Sequence, residues 1–235
     1  MNRETEYHGP IVHARLDFGG RPLYVVRPGD PDRLLDHPLV HDWNRRDDYM
    51  PYWAYLWPGA LLLAEVVAGE PWSSTPPGSP PIRALEIGCG LGLAGLMALS
   101  RGLQVCFSDY DNAPLHFVKR SAEENGFDPS SFSTKVLDWH EPPDETYPVI
   151  LGSDVLYEQR LVPLVARLLD RMLSPGGLGL ISCPGRATAM GFPAALAAHN
   201  LTCDIESIEA RSEDHQLTTG RLYRVYRQKD PGVEA

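Results

Sequence analysis

The stretch Ala84-Leu85-Glu86-Ile87-Gly88-Cys89-Gly90-Leu91-Gly92-Leu93-Ala94-Gly95 constrains the fold more than any other part of the chain. A short apolar run leads into closely spaced glycines, and a second apolar run follows, which reads as strand, tight turn and helix start. Glycines there take positive φ and let a ligand approach the backbone, while the free N–H groups of the helix start attract an anionic group. Asp109 follows Gly90 by nineteen residues, at the end of the next predicted strand. A carboxylate at that place accepts hydrogen bonds from both hydroxyls of a ribose. Together these features are a nucleoside-binding signal, against the plainer reading of a glycine turn that binds nothing. Gly90-x-Gly92-x-x-Gly95 also satisfies the dinucleotide pattern, so this motif alone leaves a nicotinamide enzyme open.

The surrounding pattern predicts an α/β fold, a Rossmann-like, seven-stranded and mostly parallel sheet with helices on both faces. Strands are expected at Arg83 to Ile87, Gln104 to Ser108, Ser133 to Leu137, Pro148 to Ser153 and Leu178 to Cys183. Helices are expected at Leu93 to Ser100, Pro114 to Asn125, Glu158 to Leu173 and near Phe192 to His199. Cys203 to Ala210 and Arg221 to Gln228 are β-like and separated by a short polar stretch, which suits an antiparallel hairpin at the sheet edge. Near the N-terminus, Val12 to Leu16 and Leu23 to Val26 flank Gly19-Gly20 and read as a hairpin appended to the core. Pro28 to Arg46 is polar and proline-bearing, and Ala60 to Val67 reads as an apolar helix. The run Pro71 to Pro81 is rich in turn formers and is expected to be a loop. The expected division is an N-terminal hairpin and polar extension over 1–50, followed by the catalytic domain over 51–235.

Composition excludes several classes. The formal charge is −10 and no basic cluster exceeds Arg45-Arg46, which argues against a nucleic-acid surface. Cys89, Cys106, Cys183 and Cys203 are widely spaced, so they are expected to be reduced thiols rather than a disulfide framework or a zinc ribbon. The histidines form no ligand pattern, and no metal site is expected. No apolar run is long enough to span a membrane, and the first residues carry no signal-peptide pattern; a cytoplasmic monomer is the expectation.

Two segments narrow the reading. Glu86 extends the glycine turn to Glu-x-Gly-x-Gly-x-Gly, which resembles motif I of the seven-strand methyltransferases. After the fourth core strand comes Gly152-Ser153-Asp154-Val155-Leu156-Tyr157-Glu158, where Asp154-x-x-Tyr157 resembles the Asp/Glu-x-x-Tyr/Phe signature of the family 16 members, many of which methylate lysines on single proteins. Tyr52-Trp53-Ala54-Tyr55-Leu56-Trp57-Pro58-Gly59 is similar to the segment before motif I in the members that act on the electron-transfer flavoprotein β-subunit and in their bacterial relatives. The resemblance runs from about Tyr52 to Cys183. It implies S-adenosylmethionine as cofactor, held by Trp57, Glu86, Gly88, Gly90, Gly92, Asp109, Asp138, Trp139 and Ser153, with Asp154 and Tyr157 bordering the acceptor pocket. In the family the residue at Glu86 helps order the loop and the amino acid part of the cofactor, and Asp138-Trp139 faces the adenine. Trp139 is otherwise an ordinary core or covering residue, Asp111 is read as part of the cap of the helix at Pro114, and Asp154 is alternatively the cap of the helix after it.

The residue types suit methyl transfer to nitrogen. The protein has mainly to align a nucleophile and hold the reactants close. A lysine with a reference pKa of ~10.4 must first lose a proton. Asp154 is expected to orient the incoming ammonium and Tyr157 to wall the channel, with general-base action the lesser role of Asp154. The expected partner is a lysine-bearing protein, an open channel with an acidic rim being its mark; a small amine in a buried pocket is the alternative. A nicotinamide oxidoreductase and a non-catalytic cofactor-binding module stand behind these, since no Tyr-x-x-x-Lys set accompanies the glycines.

Overall fold

The computed structural model describes residues 6–72 and 79–227, so the middle of the expected loop at Pro71 to Pro81 and the final Gln228 of the last expected strand lie outside the described residues. Strands β1 (Ile11–Phe18) and β2 (Arg21–Pro28) pair antiparallel from Phe18 against Arg21 to Ile11 against Pro28. Gly19 and Gly20 both take positive φ, +59° and +84°, as a two-residue hairpin turn needs for its twist to match the strands.

This hairpin is built into the core rather than hung from it. Leu16, Phe18, Leu23, Val25 and Val26 share one hydrophobic cluster with the helices on that face. The outer edge of β2 is satisfied by side chains: the Val26 N–H donates to Ser121 Oγ at 2.9 Å, and the Tyr24 N–H donates to Asn125 Oδ1 at 2.9 Å. A short helical turn at Pro31–Leu34 and helix α1 (Pro38–Asp47) occupy the polar stretch for which the sequence suggested no element. Pro38 sits at the start of α1, where its fixed φ is an advantage, and His37 Nδ1 accepts the Leu39 N–H at 3.2 Å. With Val40 its only buried residue, α1 carries little periodic signal.

Helix α2 (Pro58–Gly69) leads into β3 (Arg83–Glu86), α3 (Leu93–Ser100), β4 (Gln104–Asp109), α4 (Ala113–Glu124), β5 (Phe132–Val136) and β6 (Tyr147–Ser153). Then follow α5 (Leu161–Met172), β7 (Leu173–Cys183), α6 (Phe192–Ala197), β8 (Leu201–Arg211) and β9 (Leu217–Arg227). The seven strands from β3 on lie in the order β5-β4-β3-β6-β7-β9-β8. Pairs among β3 to β7 are parallel; β9 runs antiparallel to β7, and β8 antiparallel to β9. The expected edge hairpin is therefore present. Leu85, Ile87, Ile150, Leu151, Leu180 and Ile181 are all fully buried, because helices cover both faces. One core layer gathers the hairpin with α2, α3 and α4; the other gathers α5 and α6.

The order places the site. From β3 the chain moves outward to β4 and β5, then returns past β3 to add β6 on the other side. The strand order reverses between β3 and β6, and open α/β sheets bind ligands at the carboxyl ends of the strands at such a point. Among the described residues, no helix is long and apolar enough to cross a membrane.

Candidate cofactor and acceptor site

At the carboxyl end of β3 the backbone folds back on itself through Gly88, Gly90 and Gly92, with φ of +55°, +50° and +72°. The turn is held by the Cys89 N–H donating to Ser108 O at 2.8 Å and the Gly92 N–H donating to Cys89 O at 2.7 Å. Side chains are excluded by conformation and by space. A Cβ on Gly92 would lie 2.7 Å from Val118 Cγ2, and one on Gly88 would lie 2.9 Å from the Trp139 ring.

Two carboxylates, Asp109 partly buried and Glu86 fully buried, organise this loop from different sides. Asp109, at the end of β4, accepts the Gly90 N–H at 3.0 Å with Oδ2 and the Asp111 N–H at 3.1 Å with Oδ1. Burial pushes its pKa up to about 6, against the pull of those N–H donors. Asp109 lines the cavity described below. Glu86 does not; it is fully buried behind the loop, where Oε2 accepts the Gly95 N–H at 3.0 Å and pins the first turn of α3. Burial moves its pKa to about 8. The expected contact of Glu86 with the cofactor is thus absent from the wall, and its place is that of a loop-ordering group. Asp138 and Trp139 follow β5: Asp138 is exposed and accepts the His140 N–H at 2.9 Å, and the Trp139 ring lies against Gly88 with its buried indole N–H without an acceptor.

The other end of the cavity forms where β6 stops. Ser153 is its last residue, and Asp154 takes φ +56°, a left-handed conformation that costs a non-glycine residue ~1–2 kcal/mol. Such strain is characteristic of functional sites. Its backbone N–H donates to Ser182 O at 3.0 Å, and its Cβ lies so close to α2 that a Cβ on Gly59 would come within 2.6 Å of it. Ser182 Oγ in turn donates to Gly59 O at 2.7 Å. The Asp154 side chain, 5% exposed, is gripped by Arg186: Nε donates to Oδ1 at 2.6 Å and Nη2 to Oδ2 at 2.9 Å. Asp154 caps no helix, since α5 begins only at Leu161.

An aromatic ladder roofs this end. Tyr157 meets Tyr52 edge-on at 5.6 Å between centroids, Tyr52 meets Trp57 at 5.8 Å, and Trp57 meets Tyr55 at 5.7 Å. Trp57 is fixed by its Nε1–H donating to Tyr52 O at 2.7 Å, and the Arg186 guanidinium carbon lies 5.8 Å from the centre of its ring. Tyr52 and Tyr157 are 39% and 36% exposed, so the rings form a mouth and not a sealed interior. Burial pushes the Tyr157 hydroxyl up to about 12, so it is a neutral hydrogen-bonding group at any ordinary pH.

A cavity of about 780 Å³ joins the two ends. Its wall includes Trp57, Gly88, Gly90, Gly92, Asp109, Asp138, Trp139, Ser153, Asp154 and Tyr157, all of the expected site residues except Glu86. Among the residues of the wall that sequence reasoning did not place there are Tyr49, Asp111 and Arg186. Asp111 Oδ1 accepts the Ala113 N–H at 2.9 Å, as a residue at the start of α4 should, and the Tyr49 hydroxyl donates to its other oxygen. The position of Arg186 just past the end of β7, next to β6 in the sheet, is the signal that could have found it. Tyr49, beyond the end of α1, carries no comparable mark.

The wall fits S-adenosylmethionine. The glycine turn presents bare backbone to the cavity, Asp109 offers a carboxylate suited to ribose hydroxyls, and the acidic lining suits a ligand that carries a sulfonium and an ammonium. Gly88, Gly90, Gly92, Asp109, Asp138 and Trp139 are the groups that would hold it, with Trp57 and Ser153 at the end that also carries Asp154 and Tyr157.

Comparison with known proteins agrees. A family model described as lysine methyltransferase matches residues 53–190. Protein N-lysine methyltransferase METTL21A of Danio rerio is 31% identical over 107 residues, 43% of this chain and 49% of that protein, so the chain spans about half its length. Histone-arginine methyltransferase METTL23 of Xenopus laevis is 28% identical over 183 residues, 72% of this chain and 73% of that protein. Among solved structures, magnesium protoporphyrin IX methyltransferase of Synechocystis PCC 6803 with bound S-adenosylhomocysteine superposes with a TM-score of 0.54 at 14% identity, over 72% of this chain and 83% of that one, a likeness of fold. The glycine turn, the carboxylate nineteen residues beyond it and the matched span lead to one conclusion: the chain belongs to the lysine methyltransferase family, whose members use S-adenosylmethionine.

Proposed function

We propose that this chain methylates a side-chain nitrogen of a protein, with lysine as the acceptor. The observation that supports it best is the single cavity that runs from the glycine turn and Asp109 to Asp154, Tyr157 and Trp57, and opens between exposed aromatic rings. When bound, S-adenosylmethionine supplies a methyl group activated by its sulfonium, so that the nitrogen lone pair forms the N–C bond as the S–C bond breaks and its electrons stay on sulfur. The chain's own residues then align and exclude water. Tyr52, Trp57 and Tyr157 offer flat apolar walls to an extended alkyl stem, which suits a side chain inserted from a protein surface. Asp154, held rigid by Arg186 and Gly59, faces the acceptor end, and Tyr157 offers a neutral hydroxyl to the nitrogen. Holding the reactants in a fixed geometry is the main source of rate in such a site.

Arginine is the second reading, favoured by the long match to a protein named a histone-arginine methyltransferase. Both are tested by incubating the protein with tritiated-methyl S-adenosylmethionine and an extract of the cells that express it. A labelled band whose hydrolysate contains methyl-lysine supports the first reading, and methyl-arginine replaces it with the second. Label confined to small molecules overturns both.

A further inference from the structure

The charges along the cavity are divided unevenly. At the cofactor end, Asp109 is surrounded by backbone N–H donors. At the other end, two carboxylates are matched by arginines: Asp154 by Arg186, and Glu158 by Arg160, whose Nε lies 2.5 Å from Oε2. Asp48 adds a further negative charge near Arg160. Around the Arg186 guanidinium stand Asp154 from the end of β6, Cys183 from β7, Tyr157 beyond β6 and the Trp57 ring ahead of α2. Cys183 and Tyr157 are both pushed upward by burial and are uncharged near neutral pH. The pair of Asp154 and Arg186 therefore has no net charge with which to capture an ammonium.

We infer that Arg186 is a positioning residue for the transfer: by taking both oxygens of Asp154 it fixes that carboxylate and cancels its charge, so that the acceptor nitrogen is received uncharged and ready to attack. This rests on the reading of the chain as a protein methyltransferase. A carboxylate with open lone pairs beside a lysine would favour the ammonium, the form that cannot attack, whereas a fixed guanidinium nearby disfavours it. The bidentate fork is what a guanidinium supplies and an ammonium does not. The proton leaves the incoming ammonium for solvent at the mouth, and the lone pair it leaves behind forms the new N–C bond. Asp154 is then a fixed wall of the site, not the anchor for an ammonium that the sequence suggested.

The test is the pH profile of single-turnover labelling of the extract band by wild-type protein, Arg186→Gln and Arg186→Lys. S-adenosylhomocysteine titration and a melting curve on each variant establish that fold and cofactor site are intact. Wild type should show a rising limb well below the free lysine value of ~10.4. Arg186→Gln leaves Asp154 to the acceptor and should raise the limb by about one unit or more. Arg186→Lys keeps the cation without the fork, so its limb should stay while its rate falls. In 15N spectra the slowly exchanging Arg186 Nε–H should be lost in Asp154→Asn. A limb that does not move in Arg186→Gln, with the same loss of rate at every pH in both variants, makes Arg186 merely structural and overturns the inference. An Nε–H signal indifferent to Asp154→Asn does the same. Wild-type protein that binds S-adenosylhomocysteine yet labels nothing at any pH fails at the underlying reading instead.

Discussion

The two ends of the cavity are built by different means. The cofactor end is made largely of backbone: three glycines at positive φ, and a carboxylate held by the Gly90 and Asp111 N–H groups. The acceptor end is made of side chains from three distant stretches, the rings of residues 52–57, Asp154 with Tyr157, and Arg186. A backbone site tolerates little change but needs few partners. A side-chain site depends on every contact that orients its members, and so it can diverge in specificity while the other end stays the same.

This contrast predicts separable failures. The largest concerns Asp154→Ala, which should abolish measurable methyl transfer while leaving S-adenosylhomocysteine affinity unchanged, as calorimetry beside the labelling assay would report; equal loss of both would move Asp154 to the cofactor end. Gly59→Ala comes next. Its new Cβ would press on Asp154 from 2.6 Å, and a displacement of that kind should lower transfer about a hundredfold, again without touching the cofactor.

The cofactor end should respond in the opposite sense, and to pH. The ribose hydroxyls of a cofactor seated on the glycine turn would donate to an ionised Asp109, whose pKa is about 6. Burial has raised this value, so protonation sets in as pH falls through it and the acceptor for those hydroxyls is lost. S-adenosylhomocysteine affinity should accordingly be flat above about 6 and fall below it, approaching about tenfold per unit in the limit of one linked proton. Asp109→Asn should bind weakly at all pH values and lose this dependence; a retained slope would assign the proton to another group. The smallest effect lies outside the cavity. Ser121→Ala leaves the buried Val26 N–H without its acceptor, which costs about 1 kcal/mol or more. Melting should shift down by about 2–4 °C with cofactor affinity intact.

The same division governs what could be read from the chain. The glycine turn, Asp109 and the strand–helix alternation were legible because each is a local pattern, with periodicity, turn chemistry and spacing within a few tens of residues. Asp154 and Tyr157 were legible as a motif, but the partner of Asp154 was not, since Arg186 lies 32 residues away on the loop after the next strand. Glu86 was legible as part of the loop, but its place behind the turn and off the cavity wall was not, because which side of a turn a carboxylate occupies depends on what packs around it. Helix α1 was missed because a nearly all-exposed helix has no apolar stripe.

By itself, then, the sequence determined the parallel sheet, the antiparallel end, the nucleoside-type loop and the family resemblance, all consequences of interactions between near neighbours. Only the tertiary structure decided that the N-terminal hairpin closes the core, that Glu86 stands behind the loop, and that Asp154 is paired with Arg186 inside the cavity. The first and last of those outcomes hang on contacts far apart in the chain, such as Val26 with Ser121, 95 positions apart, and Asp154 with Arg186, 32 positions apart. Which distant groups meet is settled by how the layers pack, and no local pattern records it.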